Sequence, residues 1–207
     1  FDCTEINSSF YRPHRPATYA RWAASVPAHF RFSVKLPNTI THGARLIDCG
    51  DLLARFAEEI IGLGEKRGPI LVQLPPGLDF DTKIAAAFFK RLTNTISGQI
   101  VCEPRHLSWF GPEADALLVE HRVARVVADP APAPAAAMPG GWRGLAYFRL
   151  HGSPRTYWSS YDATALTDWR TRIPETESWP ETESWVVFDN TASGAATADA
   201  LAFQALG

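Results

Sequence analysis

The chain has 207 residues, of which 46% are hydrophobic and 20% are charged, and this composition is typical of a globular protein rather than a disordered or fibrous one. Its net charge of −2 excludes a strong overall attraction to nucleic acid or to anionic membranes. No apolar run approaches the ~18 to 20 residues of a membrane span, and the first residues lack the basic and apolar pattern of a signal peptide. We therefore expect a soluble, cytoplasmic protein without a membrane partner.

The cysteines favour the same compartment. Three are present, at wide spacing: Cys3, Cys49 and Cys102. An odd number without a disulfide framework or a zinc pattern predicts buried free thiols, which are typical of a reducing environment.

Hydrophobic periodicity predicts strands and helices that alternate along the chain. Strands are expected at residues 1–11, 30–37, 70–76, 123–129, 145–150 and 185–190, and at the start of the stretch 100–110. Helices are expected at residues 17–25, 46–63, 82–92, 112–121, 163–172 and 195–206. The low-complexity stretch 130–141 is predicted to be an exposed loop without fixed secondary structure. The hexapeptide PETESW occurs at 174–179 and again at 180–185, which we interpret either as a local duplication that lengthens a surface connection or as an irregularity of the sequence.

Strict alternation of strands and helices, in units of ~25 to 35 residues, implies parallel strands covered by helices, either in a barrel or in a doubly wound sheet. A polar side chain closes each of the seven predicted strands: Glu5, Lys35, Gln73, Glu103, Asp129, His151 and Asn190. Polar strand ends favour the barrel, because the catalytic groups of (β/α) barrels collect at the carboxyl ends of the strands. The prediction is an α/β fold, a TIM-barrel-like (β/α) barrel with seven visible strands.

The stretch IVCEPRHLSWF, residues 100–110, carries the sharpest signal. Glu103 and Arg105 are two residues apart, so on an extended chain they point to the same side. A buried carboxylate and guanidinium are costly unless they pair or meet a ligand. The stretch therefore fits either a structural ion pair or part of a site.

Six segments, in order, resemble the DUF72 family, also called YecE-like proteins: EINSSFYR, RFSVKLPNTITH, GPILVQLPPGLDFD, EPRHLSWF, YFRLHGSPRTYWSSY and FDNTASGAA. The resemblance covers the whole chain as one domain, residues 1–207, and implies a TIM-barrel-like fold. It implies no particular activity, because none is established for the family as a whole.

The sequence departs from the family pattern in two further places besides the duplication. Family members normally begin with another strand and helix around a motif like GTSGWSY, so the resemblance implies eight strands where seven are visible; either the sequence begins part-way or the barrel is open. Asp189 stands at the first position of what is usually an asparagine pair.

Polar residues at and after the strand ends form the candidate site. Carboxylates and imidazoles from different strands can perturb one another's pKa values and perform acid/base chemistry. The residues predicted to be catalytic are Glu103, His151, Asp129 and Glu5. The residues predicted to bind substrate are Asn7, Lys35, His42, Gln73, Arg105, His106, Trp109, Arg149, Tyr161 and Asn190. Each has an alternative structural role, in an ion pair, a cap or the wall of the fold. His14, His29 and His121 are expected to be solvated.

Lysine and arginine side chains at strand ends can clamp a phosphate or a carboxylate. Two classes of function remain open. One is an enzyme, such as a phosphoester or nucleic-acid-related hydrolase, that uses acid/base or metal-assisted chemistry on an anionic substrate. The other is a non-catalytic protein that binds a small anion, a nucleotide or nucleic acid. The acidic pI of about 6.3 disfavours extended duplex binding.

No cofactor is evident from motifs. The sequence has no glycine-rich phosphate loop, no dinucleotide fingerprint and no GxSxG elbow. Convergence of Glu5, Glu103, Asp129 and His151 on a divalent ion is a weakly supported alternative, because no HxH, HExxH or CxxC spacing is present, and no residue is assigned as a metal ligand.

Overall fold

The computed structural model describes residues 1–173 and 182–207. The chain divides into two compact units, Phe1–Val123 (unit 1) and Ala124–Gly207 (unit 2). The strands are Cys3–Ile6 (β1), Arg31–Lys35 (β2), Arg67–Gln73 (β3), Ile100–Glu103 (β4), Val123–Arg125 (β5), Val127–Asp129 (β6), Gly140–Gly141 (β7), Leu145–Leu150 (β8) and Glu183–Phe188 (β9). The helices are Pro16–Ala24 (α1), Gly50–Ile60 (α2), Thr82–Thr95 (α3), Pro112–Glu120 (α4), Ala163–Thr171 (α5) and Ala195–Gln204 (α6).

Unit 1 is built from strand–helix repeats. Strands β1 to β4 pair with their neighbours in sequence order, always in parallel. Parallel neighbours need a long crossover, and α1, α2 and α3 supply the three crossovers. Strand β3 is buried along most of its length, as expected for a parallel sheet covered by helices.

The helices of unit 1 are amphipathic and bury one stripe each. In α2 the buried residues Leu53, Phe56 and Ile60 recur at helical spacing. Helix α3 begins where the side chain of Asp81 accepts a hydrogen bond from the backbone N–H of Ile84 at 2.9 Å. These stripes and the inner strand residues form one hydrophobic core.

Unit 2 contains a parallel sheet in the order β6-β8-β9 and a short antiparallel pair, β5 with β7. The first predicted strand of this unit was continuous over residues 123–129, but the chain changes partner at Val126 and forms two strands instead. Val127 pairs with Phe148 of β8, whereas Ala124 pairs with Gly141 of β7.

The stretch predicted as an unstructured loop also differs. It contains a 3₁₀ turn at Pro134–Ala137 and the strand β7. Strand β7 consists of two glycines, and a Cβ atom at Gly140 would overlap the guanidinium of Arg125. A strand without side chains has no hydrophobic pattern, so periodicity could not reveal it.

The described residues form open sheets, and no closed barrel is found among them. The coarser prediction, an α/β fold with parallel strands and covering helices, is confirmed. The first copy of the PETESW duplication and the start of the second lie outside the described residues.

Candidate functional site

Four predicted residues of unit 1 lie on one face of its sheet. The register sets Glu5 opposite Ser33, and Gln73 opposite Glu103. Lys35 is two residues after Ser33 and pairs with Leu71, which is two residues before Gln73. Because side chains alternate along a strand, Glu5, Lys35, Gln73 and Glu103 point to the same side. Within this unit four of the predicted site residues therefore share one face of the sheet, and their role in a site stays a prediction.

Lys35 is buried, with 4% of its surface exposed, and it contacts an aromatic ring. Its Nζ atom sits 4.1 Å from the centre of the Phe10 ring, a cation–π contact. The same ring meets the imidazole of His42 edge-on at 5.1 Å. Burial, and then the positive charge of Lys35, lower the pKa of His42, so this imidazole is held neutral. Nδ1 of His42 shares a hydrogen bond of 2.8 Å with the hydroxyl of Thr41.

Glu103 and Arg105 form an ion pair through Oε1 and Nη2. Glu103 is 1% exposed, whereas the Arg105 side chain keeps 19% of its surface in solvent. The ion pair, one of the two alternatives left open by their spacing, is present. Asn7, after β1, buries its Oδ1 without a hydrogen-bond partner among the described residues.

His106 and Trp109, which follow Glu103, have structural roles here. His106 caps the 3₁₀ turn Leu107–Phe110: its Nδ1 is 2.8 Å from the Ser108 hydroxyl, and its Nε2 is 3.2 Å from Asp79. Trp109 is 1% exposed in the core and donates from Nε1 to the Leu78 carbonyl at 2.9 Å. These contacts account for both side chains without a ligand, so substrate binding by the two residues stays a prediction.

In unit 2, Arg149 and His151 meet on one carboxylate that the sequence did not single out as a site residue. Asp189, directly after β9, accepts from Arg149 Nη2 at 2.9 Å and from His151 Nδ1 at 3.0 Å, both on Oδ2. Arg149 and His151 are fully buried, and the Asp189 side chain is 12% exposed. The position of Asp189 directly after a predicted strand is the one sequence feature that indicates this role, and the neighbouring Asn190 shares that feature.

Asp129 and Tyr161 form a second group in unit 2. The Tyr161 hydroxyl donates to Asp129 Oδ2 at 2.7 Å and accepts from the backbone N–H of Gly152 at 2.8 Å. Burial, followed by the hydrogen bond to Asp129, raises the pKa of Tyr161, so the phenol stays protonated as a donor. Gly152 has a φ of +91°, and a Cβ atom there would lie 2.6 Å from the Ser159 carbonyl oxygen. Only glycine fits this backbone position.

Asn190 anchors this group to helix α6. It is fully buried, and its Nδ2 donates to the Ser159 carbonyl at 2.9 Å and to Asp199 Oδ2 at 2.6 Å. Asp199, which is 5% exposed, also accepts from the Tyr161 backbone N–H at 3.1 Å. One sequence feature indicates that Asp199 accepts hydrogen bonds in the interior: it is the one charged residue in helix α6, which otherwise consists mostly of small and apolar residues.

A loop residue covers His151 from one side. The ring of Tyr157 meets the His151 imidazole edge-on, with 5.3 Å between centroids, and its backbone N–H donates to the His151 carbonyl. Tyr157 has a φ of +66°, which is uncommon for a large side chain. Strained backbone of this kind is often kept at functional sites.

Over residues 1–173 and 182–207, no group of three or more histidine, cysteine or acidic side chains could hold a metal ion. None of the three cysteines is in a disulfide; Cys49 and Cys102 are buried, as expected, whereas Cys3 is only half-buried. Of the three histidines expected to be solvated, only His29 is exposed. His14 is half-buried and packs edge-on against Tyr19 and Trp22 at 5.8 and 5.2 Å, and His121 is half-buried with its ring 6.3 Å from that of Phe89. No helix among the described residues is both long and apolar enough to span a membrane.

Parallel strands joined by helices, with polar side chains at their carboxyl ends, define an α/β protein of the kind that carries its sites at strand ends. A family model described as "Protein of unknown function DUF72" matches residues 1–207, and the chain belongs to this family. The resemblance seen in the sequence is thereby confirmed.

Curated relatives carry the name UPF0759 protein YecE. The protein from Escherichia coli strain K12 is 32% identical over 143 residues, which are 66% of this chain and 52% of the relative. The protein from E. coli O157:H7 is 36% identical over 75 residues, 36% of this chain and 28% of the relative. The chain thus spans about half the length, or less, of the curated relatives that it matches.

Solved structures of DUF72 family proteins have the same fold. One from Thermotoga maritima has a TM-score of 0.79 and 24% identity, and the match covers 100% of this chain and 84% of that one. One from Enterococcus faecalis has a TM-score of 0.83 and 20% identity, covering 99% and 84%. At these identities the likeness shows the fold and nothing about activity.

Proposed function

We propose that this protein is an enzyme that acts on a phosphate-containing or other anionic substrate, with His151 as the acid/base residue. The observation that carries the proposal is the shared carboxylate oxygen of Asp189. A neutral imidazole that donates from Nδ1 has its lone pair on Nε2, so the contact with Asp189 fixes the tautomer needed for a general base. Asp189 is then a positioning residue, which also stabilises the imidazolium once it forms.

Arg149 stabilises the negative charge of the Asp189 carboxylate. A carboxylate that touches only a histidine competes strongly for its proton, whereas a second cation on the same oxygen lowers that competition. The neighbouring Tyr161 phenol stays protonated and donates its one proton to Asp129, which holds that carboxylate in place at the end of β6.

Cations at strand ends support the choice of an anionic substrate. Lys35 ends β2, Arg149 is the penultimate residue of β8, and Arg105 follows β4. Lysine and arginine are the side chains that bind phosphate and carboxylate, and arginine does so with two parallel hydrogen bonds. The net charge of −2 favours a small ligand over an extended duplex.

We also propose that the whole chain is a single TIM-barrel-like domain, as the family resemblance implies, with catalytic groups Glu5, Glu103, Asp129 and His151 at its C-terminal face. The parallel pairing within each unit supports this proposal. The free thiols support a cytoplasmic location.

A non-catalytic anion-binding protein is the second candidate. It is favoured by the complete burial of Arg149 and His151, because buried, mutually paired groups also occur in purely structural networks. Such a protein would bind phosphate or a nucleotide through the same residues without turning it over.

Turnover against a panel of phosphomonoesters, phosphodiesters and nucleotides separates the two candidates. The assay is run with and without Mg²⁺ or Mn²⁺, on the wild type and on the variants His151→Gln and Glu103→Gln. The exposed His29 provides the matched control, His29→Gln. The enzyme proposal expects turnover that both site variants lose while their circular dichroism is unchanged. Saturable phosphate binding without turnover would favour the second candidate, and full turnover in both variants would contradict the site.

A further inference from the structure

A separate cleft of about 260 Å³ lies in unit 1, between helix α3 and the loop that precedes α2. Helix α3 contributes Ile84 and Phe88, which are four residues apart and therefore share one face. The loop contributes Leu46 and Ile47 on the opposite side. Ile47 is 50% exposed at the rim. The walls are therefore largely apolar and open to solvent.

Two cations, Lys83 and Arg91, stand at the same cleft. Within the part of the chain that the structure describes, neither forms an ion pair. Nη1 of Arg91 lies 2.9 Å from the position that a Cβ atom on Gly50 would take, so the glycine makes room for the guanidinium. Asp48 is the single carboxylate among the lining residues, which leaves the cleft with a net positive charge.

The loop wall is held in an unusual conformation. Arg45, Leu46 and Asp48 all have positive φ, at 50°, 70° and 50°. Each such residue costs free energy and persists where the surrounding structure enforces it, often at ligand sites. The guanidinium of Arg45 donates to the Gly77 carbonyl at 2.7 Å, which fixes the loop from the other side. The wall is thus formed before any ligand arrives.

The thiol of Cys49 lies at the base of this loop and is 2% exposed. Burial raises the pKa of Cys49, so the group stays a thiol and contributes a small apolar surface.

We propose that this cleft binds a small amphipathic carboxylate, with the apolar chain between the loop and α3 and the carboxylate on Arg91 and Lys83. The volume is just under the ~300 to 1,000 Å³ of drug-sized sites, which suits a short chain. Charge complementarity selects the anion, since an amine would meet two like charges. The inference does not depend on the proposed function, because no residue of the cleft belongs to that site.

Titration calorimetry of the whole chain with octanoate and with octylamine tests this site. We expect saturable binding of octanoate and none of octylamine. Binding of octanoate should weaken at least tenfold in Arg91→Met and Lys83→Met, which keep an unbranched apolar stem and remove the charged end. The matched control is Lys90→Met, an exposed lysine on α3 outside the cleft, and it should bind as the wild type does.

Gly50→Ala provides a second test of the Arg91 contact, in case Arg91→Met or Lys83→Met folds poorly. Alanine is a better helix residue than glycine, and the added methyl group meets only the flexible end of Arg91. It should therefore fold and displace the guanidinium, with weaker octanoate binding. The proposal is overturned if the wild type shows no saturable octanoate binding, if octylamine binds as tightly, or if Arg91→Met and Gly50→Ala both bind octanoate like the wild type.

Discussion

The carboxylate of Asp189 and the imidazole of His151 are joined by a hydrogen bond of 3.0 Å, although 38 residues separate them in the chain. Arg149 reaches the same oxygen atom at 2.9 Å. The three residues come from neighbouring parallel strands, since β8 pairs with β9 and Asp189 follows β9 directly. This arrangement is the basis of the proposed acid/base chemistry.

Replacing Asp189 by asparagine should lower the free energy of unfolding by about 1 to 3 kcal/mol. The amide oxygen can still accept a hydrogen bond, but the charge that stabilises the buried Arg149 is lost. Urea unfolding measures the change. Asp168→Asn, an exposed aspartate on α5, is the control and should change stability by less than about 0.5 kcal/mol. Equal effects of the two substitutions would contradict the role given to Asp189.

Tyr161→Phe should also destabilise the protein by about 1 to 3 kcal/mol, because it strands the Asp129 carboxylate and the Gly152 N–H without their shared partner. Denaturant unfolding provides the measurement. Tyr11 is 71% exposed, so Tyr11→Phe removes a hydroxyl without this cost and serves as the control. If the two variants unfold at the same urea concentration, the hydroxyl of Tyr161 has no structural role.

Gly62→Ala should cost about 1 to 3 kcal/mol or more through overpacking. The new methyl group would overlap the backbone carbonyl oxygen of Pro16 and approach the Ala20 nitrogen at 2.8 Å, so helix α1 would have to move. Gly77→Ala is the matched control, because a Cβ atom there meets nothing within 4 Å. Thermal unfolding of the pair gives the answer, and a Gly62→Ala variant as stable as Gly77→Ala would refute the close packing.

The stability of the protein should fall as the pH drops below about 6.5, the ordinary pKa of histidine. Burial between Tyr19 and Trp22, and then the charge of Arg12, lower the pKa of His14 in the folded state. The unfolded chain therefore takes up a proton first, and the contribution of neutral His14 is complete above pH 6.5 and lost as the pH falls through the lowered pKa. Burial and Lys35 give His42 a shift in the same direction.

His14→Gln should accordingly flatten the decline of unfolding free energy between pH 7.5 and pH 5, measured by urea titrations at each pH. The exposed His29, replaced in the same way, should leave the slope unchanged. A His14→Gln protein with the slope of the wild type would show that His14 titrates equally in both states.

Most helices and strands, and the α/β class, could be predicted from the sequence because these elements are strongly patterned. The helix predicted at 163–172 is observed at Ala163–Thr171, and the strand predicted at 145–150 is observed as Leu145–Leu150. The hydrophobic pattern does not show which strands pair by hydrogen bonds. The run from Val123 to Asp129 is apolar throughout most of its length, so nothing in it indicated that the chain changes partner at Val126.

The candidate site was predictable only as far as the ends of strands could be located. Glu103 and His151 lie at the strand ends where the sequence predicts them, because the position of a strand depends on local hydrophobicity. The turn that follows a strand has no hydrophobic periodicity. The orientation of the His106 and Trp109 side chains instead depends on their contacts with Asp79 and Leu78, which the spacing of residues in the sequence does not reveal. Asp199 acquires its role from distant backbone groups in the same way.

The most direct test of the account is a double-mutant cycle of phosphoester turnover with His151→Gln, Asp189→Asn and the combined variant. If Asp189 acts by positioning His151, each single variant should reduce kcat/KM, and the combined variant should be no slower than His151→Gln. Losses that simply add, or a wild-type protein that turns over no phosphoester of the panel, would contradict the account.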